Sequence, residues 1–115
     1  MRRIVRRDEP VTFTGEQYQM PYAGGTGLGK PLKSTIHPFR TEIPIYLGAE
    51  GPKNVALAAE IADGWLPLFF APKEDGWYRD RLAEGFAASG DPGKSERFEV
   101  AATLMIIPGD DVDAC

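Results

Sequence analysis

Apolar positions along the chain change their period twice. In the first nine residues Ile4 and Val5 sit among four arginines, and Pro10 prevents helical continuation, so residues 1–8 read as a helix end. Val11–Tyr18 alternates β-formers around a Thr14–Gly15 step, the pattern of a small hairpin. Residues 21–42 hold glycines and prolines with little periodicity and read as a structured loop. Regularity begins at Ile43. Ile43–Leu47 is a short apolar, β-branched run that predicts a buried strand, with Pro44 near its start where a missing N–H is tolerated. Gly48–Gly51 is a tight turn, and Pro52 suits the first position of a helix. Val55, Ala58, Ala59 and Ala62 then fall at i, i+3, i+4 and i+7, one helix face of small residues that can pack closely on a sheet. Asp63–Gly64 ends that helix, with Gly64 as a left-handed cap.

Trp65–Phe70 is a second apolar run of strand length. A second helix covers about Glu74 to Ala88, with Tyr78, Leu82 and Phe86 on its buried face, and Ser89–Gly93 breaks it. Phe98–Ile107 predicts a third strand. Pro108–Gly109 turns, and Asp110, Asp111 and Asp113 start a third helix with acidic residues at its positive end. Alternating strands and helices imply parallel strands with helical crossovers, and strands apolar on both faces imply a sheet covered on both sides. Three such strands would leave two bare edges, so the pattern predicts a part of something larger.

Composition narrows the classes. The chain has 115 residues and a net charge of −4, against a nucleic-acid footprint, and its arginine cluster is local enough to be one solvated helix end. No apolar run approaches the roughly 20 residues that span a membrane. The basic N-terminus has no apolar segment after it, and the single cysteine, Cys115, forms no disulfide framework, so a cytoplasmic protein is expected.

Few residues carry candidate chemistry. Gly24–Lys30 satisfies the glycine–lysine part of a nucleoside-triphosphate loop. Pro31 stands where a magnesium-binding hydroxyl is needed, no buried strand precedes the loop, and no helix follows it. The glycines are more simply a connector. His37 is a lone histidine without metal-ligand or acid partners and reads as structural or exposed, and Trp65 reads as core. The spacing contains no paired carboxylates, no Ser/His/Asp arrangement and no metal set, so it assigns no catalytic residue. The turn Gly48–Ala49–Glu50–Gly51–Pro52–Lys53 is better placed. It joins a strand to a helix start, where free N–H groups attract an anion and Lys53 adds charge.

The run from Ile43 to Trp65, together with Gly25–Lys33 and His37–Pro38, resembles luciferase-like oxidoreductases of actinobacterial type, and the resemblance extends over essentially the whole chain. It implies an internal fragment of a (β/α)8 barrel. Ile43–Leu47, Trp65–Phe70 and Glu99–Ile107 would be strands five, six and seven, and residues 10–42 the excursion before strand five. It further implies coenzyme F420, a deazaflavin that carries hydride, with Gly48, Ala49, Glu50, Gly51 and Lys53 near its phosphate-bearing side chain. The expected activity is hydride transfer between F420 and a small organic substrate. The alternatives are an FMN-dependent luciferase-like monooxygenase and a non-catalytic truncated α/β stub. The fragment alone is expected to be inactive, because the family's acid/base groups lie on other strands. Homo-oligomerisation of the full-length protein stays open.

Overall fold

The computed structural model describes residues 1–104, 106 and 108–109, and the predicted third helix from Asp110 and Cys115 lie outside them. The described chain divides into two compact units, Met1–Ile43 and the part from Pro44 onward.

The first unit opens with helix α1 (Arg2–Arg6), which stops at Arg7 in a left-handed conformation, φ 58°. Strands β1 (Phe13–Thr14) and β2 (Gln19–Met20) form the antiparallel hairpin, closed by Gly15 N–H donating to Tyr18 O at 2.9 Å. Its second strand therefore begins just past the stretch that predicted it. An antiparallel bridge joins Val11 to Leu32. None of residues 1–43 is buried.

The arginines of the helix end form surface pairs. Arg3 reaches Glu9 at 2.7 Å and Thr12 O at 3.2 Å. Arg6 Nε lies 2.6 Å from Glu42 Oε1. Arg7 donates to Ser34 O at 3.1 Å and faces His37 Nδ1 at 2.6 Å. Arginine always donates, so the neutral Nδ1 of His37 accepts. The histidine is exposed and structural, as its isolation in the sequence suggested. Lys30 is followed by extended chain rather than a helix, so the glycine loop lacks the helix start that cradles a phosphate.

The second unit is a parallel three-stranded sheet, β3 (Tyr46–Gly48), β4 (Gly64–Leu66) and β5 (Glu99–Val100) in that order. Register pairs Leu47 with Trp65 and Trp65 with Val100. Helix α2 (Pro52–Ile61) joins β3 to β4, and a 3-10 turn (Pro72–Glu74), α3 (Asp75–Ser89) and a short α4 (Lys94–Arg97) lead to β5. Val55, Ala58, Ala59 and Ala62 are all sealed from water, as their spacing required. Trp65 and Leu82 complete the core, flanked by Leu47, Phe70, Tyr78, Phe86 and Phe98.

All three strands are shorter than their apolar runs, because a strand lasts only as long as its partner. Ile45 exchanges its hydrogen bonds with Asp63, main chain and carboxylate, before pairing starts. Pro67 has no N–H and stops β4. β5 ends once Ala101 N–H has reached Trp65 O at 3.0 Å. The predicted extension of β5 over Ala101–Leu104 and Ile106 is not strand, and Met105 and Ile107 lie outside the described residues.

Gly64 is not a left-handed cap. Helix α2 ends through Ala62 in an extended conformation, and Lys94 Nζ donates to Ala62 O at 2.5 Å. Gly64 is needed inside the sheet, where a Cβ would sit 2.3 Å from the Tyr46 ring. Gly85 meets a similar demand between α2 and α3. A Cβ there would lie 2.0 Å from Ala56 O and 2.6 Å from Ala59 Cβ, so the bare backbone lets the two helices touch. Among the described residues of this unit the left-handed one is Gly90, φ 70°, which terminates α3 where the sequence break was expected.

Candidate functional site

In a parallel sheet the loops beyond the carboxyl ends of the strands gather ligand-binding groups. Here that edge carries the turn Ala49–Gly51 after β3 and the segment from Pro67 after β4. Two carbonyls of the β3–α2 turn are occupied. Ala49 is nearly buried, and its carbonyl receives the Trp65 indole N–H at 2.7 Å. Gly51 is the N-cap of α2, φ −78° and ψ 154°, and its carbonyl accepts from Asn54 and Val55 at 3.0 and 2.9 Å. Pro52 occupies the first helical position and contributes no donor.

The donors of the turn are unused. Neither the Gly51 nor the Lys53 amide meets an acceptor among the described residues. Apart from its chain neighbours, no described atom lies within 4 Å of the place a Gly51 Cβ would take, so that side of the backbone is open. Lys53 is exposed beside it. Two free N–H groups at the start of a ten-residue helix, a nearby ammonium and clear access fit an anionic group.

The five residues singled out in the sequence thus divide by role. Gly51 and Lys53 offer free donors. Gly48 closes β3 opposite Leu66, and Ala49 is anchored through its carbonyl. Glu50 turns its carboxylate to the Leu68 N–H at 2.5 Å. Trp65, read from the sequence as core, is core and also a donor to this turn. Its apolar context gave no sign of where the indole N–H would go.

On the sheet face opposite Trp65, Tyr46 lies over Gly64 and donates its hydroxyl to Glu99. That hydrogen bond, followed by burial and the charges of Glu99 and Asp63, holds the phenol above its ordinary value of 10.0. The pair lies at the amino ends of β3 and β5, away from the turn. Among the described residues no cluster of His, Cys, Asp or Glu is arranged to hold a metal ion, and no helix is long and apolar enough to cross a membrane.

Comparison with known proteins gives the family. The family model for luciferase-like monooxygenase matches residues 1–115. A protein of Mycobacterium tuberculosis provisionally named a coenzyme F420-dependent oxidoreductase is 52% identical over 113 residues, 96% of this chain and 33% of the relative. The 5,10-methylenetetrahydromethanopterin reductase of Archaeoglobus fulgidus is 44% identical over 48 residues, 42% of this chain and 14% of that protein. The chain therefore spans a third or less of the length of these relatives. With its whole described length matched, the chain belongs to the luciferase-like monooxygenase family.

Proposed function

We propose that this chain supplies strands five to seven of a (β/α)8 barrel, as β3, β4 and β5, with residues 10–42 as the excursion before strand five. The barrel is an F420-dependent oxidoreductase that moves hydride between the cofactor and a small organic substrate in the cytoplasm. The deazaflavin supplies the hydride chemistry, and the protein supplies binding and orientation. Gly51 and Lys53 hold the phosphate of its side chain, through the Gly51 and Lys53 amides and the Lys53 ammonium. Gly48, Ala49 and Glu50 shape the turn around it.

The observation that carries this reading is the pair of unpartnered amides at the carboxyl edge of a parallel sheet, with open space at the Gly51 Cβ position. The name of the mycobacterial relative favours F420 as the anion's owner. A bulky side chain at Gly51 fills the space a phosphate would occupy without striking the protein. Lys53→Ala removes only a partly screened charge. In the mycobacterial relative carrying residues 43–70 of this chain, Gly51→Val raises the F420 dissociation constant more than Lys53→Ala, read by cofactor fluorescence. A folded Gly51→Val protein that binds F420 like its parent makes the turn merely structural. Flavin absorbance in the purified chimera, in place of deazaflavin absorbance, replaces F420 by FMN.

A further inference from the structure

We propose that Glu50 and Trp65 are positioning residues that grip the β3–α2 turn from the next strand and so present the Gly51 and Lys53 amides to an anion. This rests on the phosphate-binding reading above. Three residues separate β3 from α2, and two of them are held by residues at or beyond β4. The Ala49 carbonyl takes the indole N–H of Trp65, whose ring is fully buried. The Glu50 carboxylate takes the Leu68 N–H. The third, Gly51, is the N-cap and is fixed through its carbonyl.

An acidic side chain is otherwise out of place in a turn that binds phosphate, since its charge opposes the ligand's. Its bond explains its presence. Pro67 interrupts the sheet ladder, so the Leu68 N–H has no strand partner, and Glu50 is the acceptor that satisfies it. The carboxylate is thereby directed along the sheet edge to the neighbouring loop. Both contacts use side chains as acceptor or donor to main chain, so both can be removed without altering the helix itself.

Two expectations about Glu50 point in opposite directions. If its charge were the dominant influence on the site, Glu50→Ala would tighten binding of an anion. If its hold on Leu68 dominates, Glu50→Ala weakens binding, and Glu50→Gln, which keeps an oxygen acceptor and loses the charge, binds at least as well as the parent. Losing a hydrogen bond to a charged acceptor is an effect of about tenfold. Trp65→Phe keeps most of the ring, removes the N–H and acts in the same direction as Glu50→Ala.

The test has two readouts. In the chain as it stands, amide hydrogen exchange at Leu68 rises about tenfold in Glu50→Ala and returns towards the parent rate in Glu50→Gln. In the chimera described above, the F420 dissociation constant rises in Glu50→Ala and Trp65→Phe but not in Glu50→Gln. An unchanged Leu68 exchange rate in Glu50→Ala overturns the grip, even where Gly51→Val still weakens F420. Faster exchange at Leu68 with F420 binding insensitive to Glu50, Trp65 and Gly51 alike overturns the phosphate reading and leaves a purely structural clasp. Tighter F420 binding in Glu50→Ala overturns the positioning role directly.

Discussion

Among the described residues from Pro44 onward, apolar side chains such as Val55, Ala58, Ala59, Trp65 and Pro67 are sealed from water, and α2 and α3 close on one another around Gly85. Between Met1 and Ile43 no residue is buried, and exposed aromatic groups such as Tyr18, Tyr22 and Phe39 stand in solvent. What organises that stretch is a fan of arginines from α1 reaching partners as far as Glu42. Burial is non-directional and scales with area. Hydrogen bonds and ion pairs at a surface are directional, individually weak and screened by salt. The two units should therefore respond to different perturbations, and each response can be measured separately.

The largest expected effect falls on the apolar unit. Gly85→Ala places a methyl group inside contact distance of Ala56 O, a main-chain atom that cannot swing aside. Overpacking of this kind costs about 1–3 kcal/mol, which outweighs the roughly 1 kcal/mol that alanine gains over glycine in helix propensity. Urea unfolding followed by tryptophan fluorescence reads this unit alone, since Trp65 and Trp77 both lie in it. A midpoint equal to or above the parent's would mean that the α2–α3 contact is not as close as described.

The same contrast governs what the sequence revealed. The α2 face was legible because burial there follows the helical period, and the strands were legible as apolar runs. Their ends were not, because each is set by a partner: Asp63 for Ile45, Pro67 for β4, and the end of β4 for β5. Gly64 after Asp63 has the look of a helix cap, but its role depends on Tyr46, eighteen residues earlier. Gly85 carries no local signal at all. Within the turn, small residues and Pro52 announced a helix start, whereas the direction of the Glu50 carboxylate depends on Leu68. In the first unit Arg6 and Arg7 reach partners 27 to 36 residues away, which no local pattern announces.

A middle-sized effect is expected at high pH. The folded protein keeps the Tyr46 proton more tightly than the unfolded chain does, because the phenol is raised above 10.0 chiefly by its bond to Glu99. A group raised on folding contributes fully below its unfolded value and loses that contribution as pH climbs through the folded one. The second unit therefore loses stability above about pH 10 more steeply in the parent than in Tyr46→Phe, which has no proton to release. Thermal melts of both proteins across pH 8–11, with parallel curves, would remove the Tyr46–Glu99 bond from the account.

The smallest effect tests the arginine fan. Arg7 uses two faces of its guanidinium, Nε to Ser34 O and Nη1 to His37 Nδ1, and so ties residues 34–37 to α1. Lysine keeps the charge and the chain length but offers one ammonium, which cannot reproduce that fork. Arg7 already occupies a left-handed conformation, and lysine there meets the same backbone cost, so Arg7→Lys isolates the side-chain geometry. His37 is exposed, so the change is worth at most about 1 kcal/mol. That is too little for a melting curve and enough for exchange: the Ile36 amide, held by Ser34 Oγ at 3.2 Å, exchanges up to about fivefold faster. Raising salt to 1 M in the parent moves Ile36 in the same direction by weakening the neighbouring Arg3–Glu9 and Arg6–Glu42 pairs, while Val55 and Ala58 in the apolar core stay protected. Equal acceleration of Ile36 and Val55 by salt would show that both units share one kind of cohesion, and the contrast between them would fail.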